Sequence, residues 1–168
     1  MYKRINGGIR GYLIDFDLAG LAGREPANLD RTGTMPFMAL ELLHSVVRKA
    51  PITHTYDHDA EAVCWVVLWL GVQYEDGERV TRSFREWEMV NAKTCYQEKR
   101  TVLEDLHLYA FTEANKVLQE PIRDILDKFD TLYFQKRKNR GKALDLDIGG
   151  WMDECDKEIR DQVSCTSE

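Results

Sequence analysis

Asp59-Ala60-Glu61-Ala62-Val63-Cys64-Trp65-Val66-Val67-Leu68-Trp69-Leu70 is the stretch on which the fold turns. From Ala62 to Leu70 every residue is apolar. A buried strand can show such a run, and its valines would suit one. The Asp-Ala-Glu-Ala lead-in and the length from Tyr56 to Leu70 select a helix instead, with Asp57 or Asp59 able to cap it and Glu61 in its first turn. A helix that is apolar on every side must be enclosed by other elements, so it belongs at the centre of the fold. Nine apolar residues are far too few to cross a bilayer.

Downstream of this segment the helical period continues. Gly71 to Thr81 reads as a polar loop with Asp76-Gly77 as a turn. Ser83, with Glu86 three residues on, has the form of a capping box and opens a pattern that runs to Leu108. Phe84, Trp87, Val90 and Ala92 precede Tyr96, Val102, Leu103 and Leu106, which suits two helices or one bent one. Thr112 to Tyr133 is again helical, with Pro121 in the first turn of a second helix and Ile122, Ile125, Leu126 and Phe129 on its apolar face. Trp151 to Val163 is a final helix. Upstream, Ala39 to Arg48 carries Leu40, Leu43, Val46 and Val47 on one face. Residues 20 to 38 hold glycines and prolines without a period and form a long loop, a kind of segment that is commonly functional. Gly11 to Asp15 reads as a short strand, and residues 1 to 10 as loose and polar.

The expected fold is therefore mainly α, with a short β element near the N-terminus and a buried central helix. A length of 168 residues suits a single domain with one core. Four tryptophans, seven tyrosines and six phenylalanines supply bulky core material. A net charge of −6 argues against a nucleic-acid surface. The basic run Lys136-Arg137-Lys138-Asn139-Arg140 reads as a solvated helix end, with a phosphate-binding or targeting patch as the sharper alternative. Four scattered cysteines without a CxxC pair, and an N-terminus without an apolar signal segment, fit a reduced intracellular protein, cytoplasmic or nuclear, with no membrane partner. Cys64, inside the apolar run, should behave as a small buried hydrophobe.

The chemistry lies before the central helix. Leu13-Ile14-Asp15-Phe16-Asp17-Leu18-Ala19 is an apolar strand ending in a carboxylate, the way many folds hold Mg²⁺ against a phosphate. One reading is a phosphatase of the haloacid dehalogenase type, with Asp15 attacking phosphorus and Asp17 as acid and base. That chemistry is carried by an alternating α/β sheet with a Thr soon after the second Asp. Here Leu18-Ala19-Gly20 follows, and then helices.

A second reading fits more of the chain. Gly33-Thr34-Met35-Pro36-Phe37-Met38-Ala39-Leu40-Glu41 resembles the end of a protein-kinase activation segment, with Leu40 where Pro is usual. Asp15-Phe16-Asp17 resembles the Asp-Phe-Gly triplet upstream of it, and His58-Asp59-Ala60-Glu61 with its apolar continuation resembles the central helix of the kinase C-lobe. Together with Arg31-Thr32 these motifs are similar in particular to the fungal-type protein kinase family, over residues 11 to 70. Trp87, Ala92 and Lys99 fit the same pattern.

The resemblance implies a kinase-like C-lobe with a metal-binding strand and turn at 11–19, an activation segment at 20–41, the central helix at 57–70 and a helical subdomain at 83–163. It implies that Asp15 holds Mg²⁺ between the ATP phosphates, that Phe16 packs beneath it, and that Asp17 stands where the family commonly has Gly. Thr34 and Phe37 would lie on the loop that meets substrate. Thr32 would be a phosphorylation candidate, with a plain solvated threonine as the alternative. Glu41 and Asp59 would brace the substrate and catalytic loops. The intact form would transfer phosphate from ATP to protein Ser or Thr. The 168 residues contain no His-Arg-Asp triplet, and Gly7-Gly8-Ile9-Arg10-Gly11 lacks the spacing and the Lys of a phosphate loop. Because such groups act as a unit, the chain alone is expected to be inactive and to hold Mg²⁺-ATP weakly or not at all. The alternative is a non-catalytic, pseudokinase-like binding module. In it, apolar surface from Gly11 to Leu18 and near the central helix, left open by the absent N-lobe and catalytic loop, would dock a protein partner.

Overall fold

The computed structural model describes residues 2–5, 8–11, 34–89, 91–138 and 147–165. The chain divides into two units, Met1–Thr32 and Gly33–Glu168. In the first, Tyr2–Ile5 (β1) and Gly8–Gly11 (β2) pair antiparallel, with Tyr2 opposite Gly11 and Ile5 opposite Gly8. This corrects the reading of residues 1 to 10 as loose. Two residues separate the strands, and they are Asn6-Gly7, the dipeptide most favourable to a two-residue hairpin, so the local turn signal outweighs the polar composition. The strand expected from Gly11 to Asp15 falls, after Gly11, outside the described residues.

The second unit is built of helices around α2 (Tyr56–Gln73). Its other helices are α1 (Leu40–Arg48), α3 (Arg85–Met89), α4 (Ala92–Glu104), α5 (Gln119–Lys138) and α6 (Ile148–Cys165). Short 3₁₀ turns at Met35–Phe37, Leu106–Leu108 and Glu113–Leu118 connect them. The mainly α expectation holds. Among the described residues the strands form antiparallel pairs only, β1 with β2 and β3 (Tyr74–Glu75) with β4 (Glu78–Arg79). The parallel, helix-alternating sheet needed by the phosphatase reading of Asp15 and Asp17 is not seen among them.

α2 runs three residues past Leu70, because Gly71 lies inside the helix with its Cα against the Phe111 ring. Its start also differs from expectation. Neither Asp57 nor Asp59 caps it; Thr55 does, and the backbone N–H of Thr55 donates to His58 Nδ1 at 3.0 Å, the return arm of a capping box. Cys64, Trp65, Leu68, Trp69 and Val72 are buried, and each large side chain so placed stabilises the fold by about 1.5–3 kcal/mol. The helix is not enclosed all round, however: Tyr56, Val63 and Leu70 are exposed.

Trp65, Trp69, Phe84 and Trp87 make one aromatic cluster, with Phe84 stacked on Trp87 at 4.4 Å and Trp65 edge-on to Trp87 at 5.6 Å. Of the two arrangements the pattern from Ser83 to Leu108 allows, two helices or one bent one, two helices form. The segment breaks into α3 and α4 because Asn91 caps the second, its Oδ1 accepting from the amides of Lys93 and Thr94. Pro121 falls in the first turn of α5 as expected. The Asp76-Gly77 turn closes the β3–β4 hairpin, and both residues have positive φ, the backbone a tight two-residue connection requires. α1 packs on α4, α2 on α5, and α5 on α6.

Candidate functional site

The site lies along residues 34–41, where two layers of polar side chains hold a short piece of backbone against the helices. Thr34 and Met35 are exposed. Pro36, whose ring presets the helical φ, sits inside the 3₁₀ turn, and the Phe37 amide donates to Thr34 O at 2.8 Å. Phe37 then meets Trp69 of α2 edge-to-face, with ring centroids 5.5 Å apart. Ala39 is fully buried.

The deep layer takes the backbone on either side of Ala39. Lys99, on α4, is fully buried and donates from Nζ to Met38 O at 2.7 Å. Its ammonium end lies 4.3 Å from the Trp65 ring centroid and 5.4 Å from that of Trp87. Glu61, on α2, accepts from the Leu40 amide at 2.8 Å and from Trp65 Nε1 at 2.9 Å, both through Oε1. One helix thus takes the carbonyl of residue 38 and another the amide of residue 40. One turn before Lys99, Cys95 places its thiol 3.5 Å from Met35 O. Burial pushes the Lys99 amine down to about 7, against the pull of Glu61, and pushes the Glu61 carboxyl up, against its two donors. Burial likewise raises the Cys95 thiol.

The outer layer holds Glu41. Its Oε2 lies 3.2 Å from His58 Nε2 and 2.9 Å from Lys136 Nζ, and Lys136 also reaches Asp57 at 3.5 Å. Since His58 Nδ1 accepts from the Thr55 amide, the hydrogen-bond pattern assigns the ring proton to Nε2, which donates to Glu41. Donation from His58 leads the causes that bring the Glu41 carboxyl down to about 2. Burial opposes this, and Lys136 adds to it by hydrogen bond and charge.

Of the sequence-predicted site residues, Thr34, Phe37 and Glu41 lie on this segment: the Phe37 amide donates to Thr34 O, and Glu41 meets His58 and Lys136 in the outer layer. Asp59 does not join them. Its carboxylate is exposed and lies 3.1 Å from His54 Nε2, while the buried acid of α2 is Glu61, half a turn further along. Asp15, Phe16, Asp17 and Thr32 lie outside the described residues. Among the described residues no group of three or more His, Cys, Asp or Glu could hold a metal ion. None of the helices, again among the described residues, is long and apolar enough to cross a membrane.

Sequence reasoning passed over the working roles of Lys99, His58 and Lys136. Lys99 had two signals: its fit to the family pattern, and Cys95, Val102 and Leu103, which place it on the buried stripe of α4, where a lysine needs an acceptor. Lys136 had none, since it reads as one member of a basic helix end.

No curated protein and no solved structure matches the chain. Residues 2–71 match the family model described as fungal protein kinase, a span that takes in β1, β2, α1 and α2 up to Gly71 but leaves Lys99 and Lys136 outside it. Over those residues the similarity to the fungal protein kinase family, indicated by the order of the chain's motifs, is shown.

Proposed function

We propose that residues 33–168 form the substrate-facing helical lobe of a kinase-like protein, and that these 168 residues do not transfer phosphate by themselves. The observation that carries this reading is the double grip on residues 38–41, which ties down one end of the loop bearing Thr34 while leaving Thr34 itself in solvent. A protein kinase needs that geometry where an acceptor peptide lies beside the reacting centre, because phosphoryl transfer depends on positioning. In the intact form Asp15 would bind Mg²⁺ with ATP, Phe16 and Asp17 would shape that turn, and protein Ser or Thr would be the acceptor. Thr32, in the same loop, is the phosphorylation candidate. No His-Arg-Asp triplet stands in the sequence to orient the acceptor hydroxyl, and one carboxylate is a poor Mg²⁺ site by itself. Incubation of the purified chain with radiolabelled ATP, Mg²⁺ and a generic protein substrate should give no more label than the Asp15→Ala variant. Robust transfer that Asp15→Ala abolishes would overturn the claim.

A second reading, a non-catalytic binding module, is favoured by the exposure of Tyr56, Val63 and Leu70 along α2, one residue per two helical turns. A protein partner would cover that face. A clean monomer that binds no hydrophobic dye argues against it.

A further inference from the structure

We propose that Lys99 is the positioning residue of the Thr34 loop: by holding the Met38 carbonyl it sets where residues 34–37 stand, and it ties that position to the seating of α4. This rests on the reading of Thr34 and Phe37 as substrate-facing, and names what would control their placement. The geometry argues for a dedicated role. A fully buried lysine is costly unless its amine is satisfied, and in a helix that needed only to pack, leucine or methionine would serve. Here the amine makes a 2.7 Å bond to a backbone carbonyl 61 positions earlier in the chain, in a cage walled by Trp65 and Trp87. Trp65 is in turn fixed by Glu61, which holds the next-but-one amide of the same segment, Leu40. The carbonyl of 38 and the amide of 40 point to opposite partners on α4 and α2, so the backbone between them is fixed from both sides. Removing Lys99 frees one side only. Cys95, one turn away on the same face, reaches Met35 O with a thiol, a much weaker donor, and cannot replace that hold.

Hydrogen exchange on the full chain tests this without any catalytic readout. In Lys99→Met, amides of residues 37–40 should exchange about tenfold faster or more, the size expected when a buried hydrogen bond opens, while amides of α2 and α5 keep their protection. In a background with Cys64, Cys95, Cys155 and Cys165 replaced by alanine, so that only the new thiol reacts, refolding a Lys99→Cys variant after aminoethylation restores an amine of nearly the same reach. It should return the 37–40 protection, whereas the same thiol capped with a neutral ethyl group should not. This pair also serves if Lys99→Met does not fold. Unchanged protection at 37–40, a loss spread evenly over α2 and α5, or equal recovery with both caps would each overturn the proposal. Phosphate transfer by the chain would count against the proposed inactivity and leave this result untouched.

Discussion

The two layers that hold residues 38–41 use the same residue types to opposite electrostatic ends. At the rim, Glu41 faces His58 and Lys136 with part of each longer side chain in water, and its charge is kept: the carboxyl is brought down to about 2. In the interior, Glu61 and Lys99 are each driven toward the neutral form by burial. The rim works through ionisation. The interior works through hydrogen-bond geometry, because Glu61 accepts from two donors that have no other acceptor among the contacts of the described residues. Depth, more than residue type, decides which physics operates.

Glu61 should carry the largest effect. Replacement by alanine would strand the Leu40 amide and Trp65 Nε1 in the core, each at about 1–3 kcal/mol, so a loss of about 3–5 kcal/mol in urea denaturation is expected. Glu61→Gln keeps an acceptor at the same place and should lose less than half of that. If Glu61→Gln were as damaging as Glu61→Ala, charge would matter in the interior and the contrast with the rim would fail.

How much of this was legible in the sequence follows from the same distinction. The run Ala62–Leu70 announced a helix and its burial, since apolar side chains at every position leave few other choices. The same run does not fix how far the helix is enclosed: exposure depends on which neighbours arrive, and Val63 and Leu70 meet none that cover them among the described residues. Gly71 to Gln73 read as loop because glycine is a weak helix former in isolation, whereas packing against Phe111 holds it in α2 here. Glu41 stands out only through the resemblance of residues 33–41 to a kinase activation segment. Its partner Lys136 could not, since it comes from 95 residues away. Asp59 and Glu61 are two residues apart on one helix, so the 3.6 period sends them to different sides, and only the fold says which one faces the core.

The rim makes a prediction in pH. Because the Glu41 carboxyl lies lower in the folded chain than its ordinary value of 4.5, its stabilisation is complete above that value and is lost as pH falls toward about 2. Glu41→Gln retains hydrogen bonding but not charge, so the variant should be less stable by about 1–2 kcal/mol at neutral pH, after allowance for partial exposure, and should converge on the parent near pH 2. Parallel curves from pH 7 to pH 2 would show that the rim, too, works by hydrogen bonds alone. Lys136→Met removes two ion pairs on a half-buried amine and should lower stability by about 1 kcal/mol, an effect that 1 M salt shrinks.

Asp59 should matter least to stability. Its side chain is 70% exposed and that of His54 55%, so their 3.1 Å pair sits in water and belongs to neither layer. Exposed pairs contribute about 0–1 kcal/mol, and an acid in a first helical turn adds a few tenths more through the helix dipole. Asp59→Asn should therefore lower stability by about 0.5 kcal/mol, measured by urea denaturation, and His54→Ala by no more. Asp59 is also the residue for which family resemblance implied a bracing role. A loss of about 2 kcal/mol or more would mean that its carboxylate meets a buried partner in solution. The acid at the head of α2 would then belong with Glu61 in the interior, and the line between rim and core would have to be redrawn through Asp59.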